Sequence, residues 1–127
     1  MLFELNQYSD VSFLVLRLVI AVIFIYHALP KLTSAKGMSL AMGAPASMIF
    51  VLGIVEFVSS LGMIFGAYIQ LAALLLAIVM IGAIYFKTMK WRVPFAAMDK
   101  TGWEFDLILL AANLFILVHG GGAVGIQ

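Results

Sequence analysis

The sequence predicts an all-α integral membrane protein, a four-helix bundle. Two observations carry this. Of 127 residues, 65% are hydrophobic and 10% are charged, where a soluble domain carries about 25% charged residues. The apolar residues also fall into stretches of one membrane-span length, or twice that length; one span needs about 20 residues. The chain 1–127 therefore reads as a single membrane domain, with no linker-like stretch and no room for a second domain.

The first span is predicted over 11–32, after a cap at Ser9 or Asp10, with Pro30 and Lys31 closing it at an interface. The N-terminus is acidic and lacks the basic region of a signal peptide, so this span is expected to be retained. The segment 33–45 is rich in Gly, Ser, Ala and Met and reads as a loop or short interfacial helix. The apolar stretch 46–86 is twice a span and must fold back, with the turn at Gly66, Ala67 and Tyr68. That gives spans at 46–66 and 69–86. The polar, basic segment 87–102 follows, then a fourth span at 103–118. The closing run from Gly120 onward is expected to be loose.

Lys31, Lys36, Lys87, Lys90, Arg92 and Lys100 all fall on one side of these spans. Positive loops stay in the cytoplasm, so a cell-membrane location with both termini outside is expected. Trp91, Trp103, Tyr26, Tyr85 and Phe86 cluster near the cytoplasmic ends, and Tyr8 and Tyr68 near the outer ends. Such rings form an aromatic belt more often than a quinone or haem platform. A net charge of +1 does not imply nucleic acid. With no cysteine there is no disulfide, redox pair or thiolate-held cluster. No haem, flavin or metal motif stands out, and the eight Met residues read as core filling.

Charges inside the spans point to function, because an intramembrane charge normally faces the protein interior and has a partner. Arg17 lies six residues past the outer end of span one, about 9 Å deep at 1.5 Å per residue. Glu56 lies ten residues from the inner end of span two, near the midplane. A vertical gap on the order of 5–8 Å separates them, which an arginine can close. Arg17 and Glu56 are therefore expected to form a bidentate pair. Gly53 and Ser60 flank Glu56 at helical spacing, and Gly62 and Gly66 form a GxxxG; small residues there predict close packing around the Glu56 face.

Arg17, Phe24 and Lys31 repeat at seven-residue spacing, and His27 precedes Lys31 by one turn. Span four opens with Glu104 and Asp106. Acids in a first turn are often explained by the helix dipole alone, above all for Glu104. Asp106 lies deeper and shares a face with Asn113. His27, Glu104, Asp106 and Lys31 can thus converge on an inner polar pocket, with Asn113 above it. His119 ends span four at the outer surface and reads as interfacial. A haem held by His27 and His119 is disfavoured, since they lie about 20 Å apart by helix rise.

The runs LVLRLVIAVIFIYHALPKL, GIVEFVSSLGMIFG and TGWEFDLILLAANLFILVHGGG together resemble the DoxX family of small four-helix membrane proteins. The most specific part is Gly102-Trp103-Glu104-Phe105-Asp106, followed by an apolar helix and glycines. Arg17, Lys31 and Glu56 fit the family pattern. The tail departs from it, since family members often continue with Gly-Pro-Gly and polar residues. The resemblance implies a redox setting: some relatives are subunits of a thiosulfate:quinone oxidoreductase, and others are linked with oxidative-stress partners. A fold does not fix a reaction.

Three functions fit these residues. A quinone-linked subunit would use His27, Glu104 and Asp106 for protons, the catalytic role, with Arg17, Glu56, Asn113 and Trp103 around the bound quinone. His27, with a reference pKa of about 6.5, suits proton exchange. A non-catalytic assembly subunit would use the charged pair for helix register and the aromatic loop from Lys87 to Trp103 to dock a soluble protein partner. A transporter would need an oligomer or internal repeats, and no repeat is visible. The expected partners are the lipid bilayer, other subunits or further copies of the chain.

Overall fold

The computed structural model describes residue 5 and residues 7–125, and is all-α, with no strand among the described residues. It contains five helices: α1 (Ser9–Thr33), α2 (Ala35–Met42), α3 (Ala46–Phe65), α4 (Ile69–Tyr85) and α5 (Trp103–His119). A π-helical turn, Phe86–Lys90, extends α4. The fifth is the short helix α2, which forms within the segment 33–45, where a loop or short interfacial helix was expected between spans. Three helices are long and apolar enough to cross a membrane: α1, α3, and α4 with its π turn. The 17 residues of α5 rise about 25 Å, at the lower limit for a crossing.

Each helix follows from its sequence. In α1 the buried residues Arg17, Ile20, Ala21, Phe24 and Ala28 recur at three- and four-residue spacing, and form one inward stripe. Pro30 lies in the closing turn of α1, which ends at Thr33, one residue past the expected bound. It leaves one earlier carbonyl without its usual N–H partner, and the helix continues for a last turn in which Ser34 N–H bonds Pro30 O at 2.7 Å. The expected turn at residues 66–68 is present. Gly66 caps α3 at φ 69°, and Tyr68 starts α4 at φ 51°, a strained value for a residue with a Cβ.

Helix α1 packs along α3, α3 along α4, and α4 along α5. The core lies between them and includes Ile20, Phe24, Met63, Leu76, Leu109 and Ile116. Helices α1 and α5 meet through aromatic side chains near both ends. Phe13 stacks on Phe115 with ring centroids 5.7 Å apart, and His27 tilts against Phe105 at 5.6 Å.

Two glycines fix the register of α1 against α3. A Cβ at Gly53 would stand 2.9 Å from Lys31 Cβ, and one at Gly66 would stand 2.8 Å from Arg17 Nη1. Lys31 and Gly53 therefore share one level, and Arg17 and Gly66 the other end. The second glycine of the GxxxG thus serves the α3–α4 turn, and so does the first: a Cβ at Gly62 would meet Ala67 O at 2.8 Å. Gly53 provides close packing on the Glu56 face, where Ser60 is also fully buried.

The run after Gly120 is not loose over its described part. Ala123 N–H bonds Asp10 Oδ1 at 2.9 Å, and Gly122 abuts Phe13. Residues 121–125 lie across the end of the bundle where Gly66 turns the chain.

Candidate functional site

The ion-paired groups collect at the end of the bundle that carries the lysines. Glu56 is 1% exposed on α3, and Lys31 Nζ lies 2.5 Å from its Oε2. Helical side chains lean toward the N-terminus, so Lys31, two residues from the end of α1, leans back into the bundle. Its stem passes Gly53, where the missing side chain leaves room. Ser60 Oγ donates to Glu56 O at 2.6 Å and stiffens the same turn.

Arg17 does not pair with Glu56. No hydrogen bond or ion pair joins them, and Glu56 is held by Lys31. The reason is register. Helix α3 begins at Ala46, seven residues before Gly53, so it overhangs the end of α1. Glu56 then sits near Lys31, and about 15 Å of helix rise separates it from Gly66, the level of Arg17.

A second ion pair joins α4 to α5. Lys87 Nζ lies 2.7 Å from Asp106 Oδ2, with side-chain exposures of 15% and 6%. The contact is close but off hydrogen-bond alignment, and the aligned bonds of Lys87 go to Thr101 Oγ1 and O at 3.1 and 3.3 Å. Phe105 stands between this pair and α1: Lys87 Nζ is 6.0 Å from its ring centroid, and the half-buried His27 ring approaches it at 5.6 Å.

The structure gathers part of the expected pocket. His27 and Asp106 both reach the Phe105 neighbourhood, yet no hydrogen bond joins them, because Asp106 faces Lys87. Glu104 is exposed and does not converge. It lies two residues before Asp106, and residues two apart point to different sides of a helix. Asn113 is fully buried above this level, where its Nδ2 donates to Leu109 O at 2.8 Å. Trp103 is half-buried and set edge-on to Phe95 at 4.6 Å. His119 is exposed and stacks on Phe115 at 4.3 Å. Lys87 and Phe105 belong to the cluster and were not among the expected site residues. A signal for Lys87 exists in the sequence: it is the first cation after span three, facing an acid early in span four.

The loop between these helices is ordered by backbone contacts. Trp91 Nε1 donates to Met42 O at 3.0 Å, which ties the loop to the end of α2. A Cβ at Gly102 would stand 2.8 Å from Pro94 O, so only glycine lets the loop pass so close to the start of α5.

Helices of this length and apolarity, with buried ion pairs between them, define a multi-pass α-helical membrane protein. A family model for DoxX matches residues 12–89, more than half of the chain, and the protein belongs to that family. The matched part ends before α5, so Gly102 to Asp106 lie outside it. The chain is 28% identical over 119 residues to a Bacillus subtilis (strain 168) protein named "Putative oxidoreductase CatD", spanning 91% of this chain and 84% of that one. It is 29% identical over 128 residues to an uncharacterized protein of Haemophilus influenzae, spanning 98% and 94%. No solved structure matches the chain.

Proposed function

We propose that this protein is a membrane subunit of a quinone-linked redox system. The lysine-bearing end is read as cytoplasmic, with both termini outside, α5 as a fourth crossing and the chain 1–127 as one membrane domain. Reducing a quinone to a quinol takes two electrons and two protons. The chain has no cysteine to carry electrons, so these come from a partner subunit, and this chain handles the protons. The observation that carries the reading is the approach of both His27 and Lys87, the partner of Asp106, to the Phe105 ring. His27 and Asp106 are the proton-handling groups, and Lys87 holds the Asp106 carboxylate in place. Glu104, exposed nearby, takes protons from water. The oxidoreductase name of the Bacillus relative supports the redox setting.

The test measures abundance, bound quinone and partner retention across one variant set in membranes. His27→Ala and Asp106→Asn are expected to keep normal abundance and lose bound quinone. Wild-type quinone binding in the double variant overturns the site.

A second reading rests on a different observation. Met98 and Phe95 are exposed on the loop that Trp91 anchors to α2. An apolar, anchored loop suits docking of a protein partner, which makes the chain an assembly subunit. On this reading Trp91→Ala releases the partner, while His27→Ala leaves partner activity intact.

A further inference from the structure

The opposite end of the bundle presents a distinct problem of charge. Arg17 is 0% exposed, and none of its three guanidinium nitrogens meets an acceptor among the described residues. Asp10, the acid in the first turn of α1, forms no ion pair with it and instead accepts from Ala123 N–H. A cation buried without a counter-charge costs several kcal/mol, so this position calls for an anion.

The surroundings supply the rest of an anion site. Gly121 covers the side chain: a Cβ there would stand 2.8 Å from Arg17 Cδ. The same Gly121 lines a cavity of about 600 Å³ with Tyr68, Ile69, Gln70 and Leu71. Helix α4 begins in that cavity. Its first aligned helical bond runs from Ala72 N–H to Tyr68 O at 2.9 Å, and no side chain caps it. The N–H groups of Ile69, Gln70 and Leu71 therefore lack helical acceptors and favour negative charge. A second cavity of about 400 Å³ is an apolar groove between α3 and α4, reaching Val58 and Leu75. It shares Ala67, Tyr68 and Leu71 with the first.

We propose that this end binds the phosphate headgroup of a membrane phospholipid. The phosphate sits at the start of α4, over Arg17, and an acyl chain lies in the adjoining groove. Residues 121–125, which touch α1 at Phe13 and Arg17 and hydrogen-bond it at Asp10 among the described residues, shift outward to admit the headgroup. A neutral quinone would satisfy the groove but not the guanidinium. The inference does not rest on the redox reading.

The test uses the full chain purified in mild detergent. Native mass spectrometry measures retained phospholipid. Delipidated protein is then titrated separately with short-chain phosphatidylglycerol and with inorganic phosphate. Arg17→Gln removes the cation. Leu71→Glu tethers a carboxylate in the site at a position 54% exposed, where an acid in a first helical turn is tolerated. Wild type should retain phospholipid and bind phosphatidylglycerol, with roughly tenfold weaker binding in each variant. His27→Ala should bind lipid as wild type does. If Arg17→Gln does not fold, Leu71→Glu decides alone. Equal lipid binding by wild type and a folded variant overturns the proposal. So does inorganic phosphate binding as tightly as the lipid, which would mark a free-anion site, or binding of neither ligand.

Discussion

Lys31 Nζ stands 2.5 Å from Glu56 Oε2, joining the last turn of α1 to the middle of α3. Gly53 makes that approach feasible by letting the lysine stem lie against α3. The pair is sealed on the Glu56 side, where exposure is 1%, and partly open on the Lys31 side, at 15%. Three elements of one interface thus depend on each other: a glycine, a lysine and a carboxylate.

Lys31→Met should therefore strand a buried carboxylate and destabilise the protein by about 3–5 kcal/mol. The double variant with Glu56→Leu should be less harmed than the sum of the single changes. Reversible unfolding in detergent measures both; strict additivity would show that the two groups do not act as a pair.

Glycines at the interfaces and elsewhere should behave oppositely. Gly53→Val pushes α1 from α3 and should cost about 1–3 kcal/mol as overpacking. A Cβ at Gly82 meets nothing within 4 Å, so Gly82→Ala should be neutral or stabilising by up to about 1 kcal/mol. The same thermal or denaturant series checks both.

The Lys87–Asp106 pair should respond unequally to its two removals. Asp106 is the more buried partner, and Lys87 keeps its Thr101 bonds. Lys87→Met leaves an unpaired carboxylate inside and should lower abundance in membranes. Asp106→Asn keeps the shape of the acid and should cost less, about 1 kcal/mol. Glu104→Gln, at an exposed position, should change abundance by nothing measurable. Quantitative immunoblotting of membranes ranks the three.

How far the sequence could be read depends on which physics decided each feature. Hydropathy and turn residues act locally, so the helices around Arg17, Glu56 and Leu76, and the turn at Gly66, were legible. So was the presence of buried polar groups, since Glu56, Asp106 and Asn113 sit inside apolar helices. Partnership was not legible. Arg17 and Lys31 lie on the same stripe of α1, and choosing between them needs the register against α3. That register comes from the overhang of α3 and the insertion of α2, both of which are tertiary. Glu104 failed for a simpler reason: it sits near Asp106 in sequence but on another face of α5. The tail failed because its hold on Asp10 spans nearly the whole chain.

Gly102→Ala tests that long loop directly. The added methyl meets the backbone of Pro94 and Phe95, which cannot rotate away as a side chain could. The loop should detach from the start of α5, and Trp103, edge-on to Phe95, should gain solvent exposure. Its fluorescence emission should shift to the red; unchanged emission with unchanged stability would contradict the packing.

The two ion pairs also set a timetable for synthesis. Glu56 finds Lys31 as soon as α3 has followed α1 into the bilayer, so that ion pair needs no later helix. Lys87 must wait, because its acid arrives only with α5. During that interval α4 carries an unanswered charge at the membrane surface. A chain halted before residue 103 would never form that link between α4 and α5.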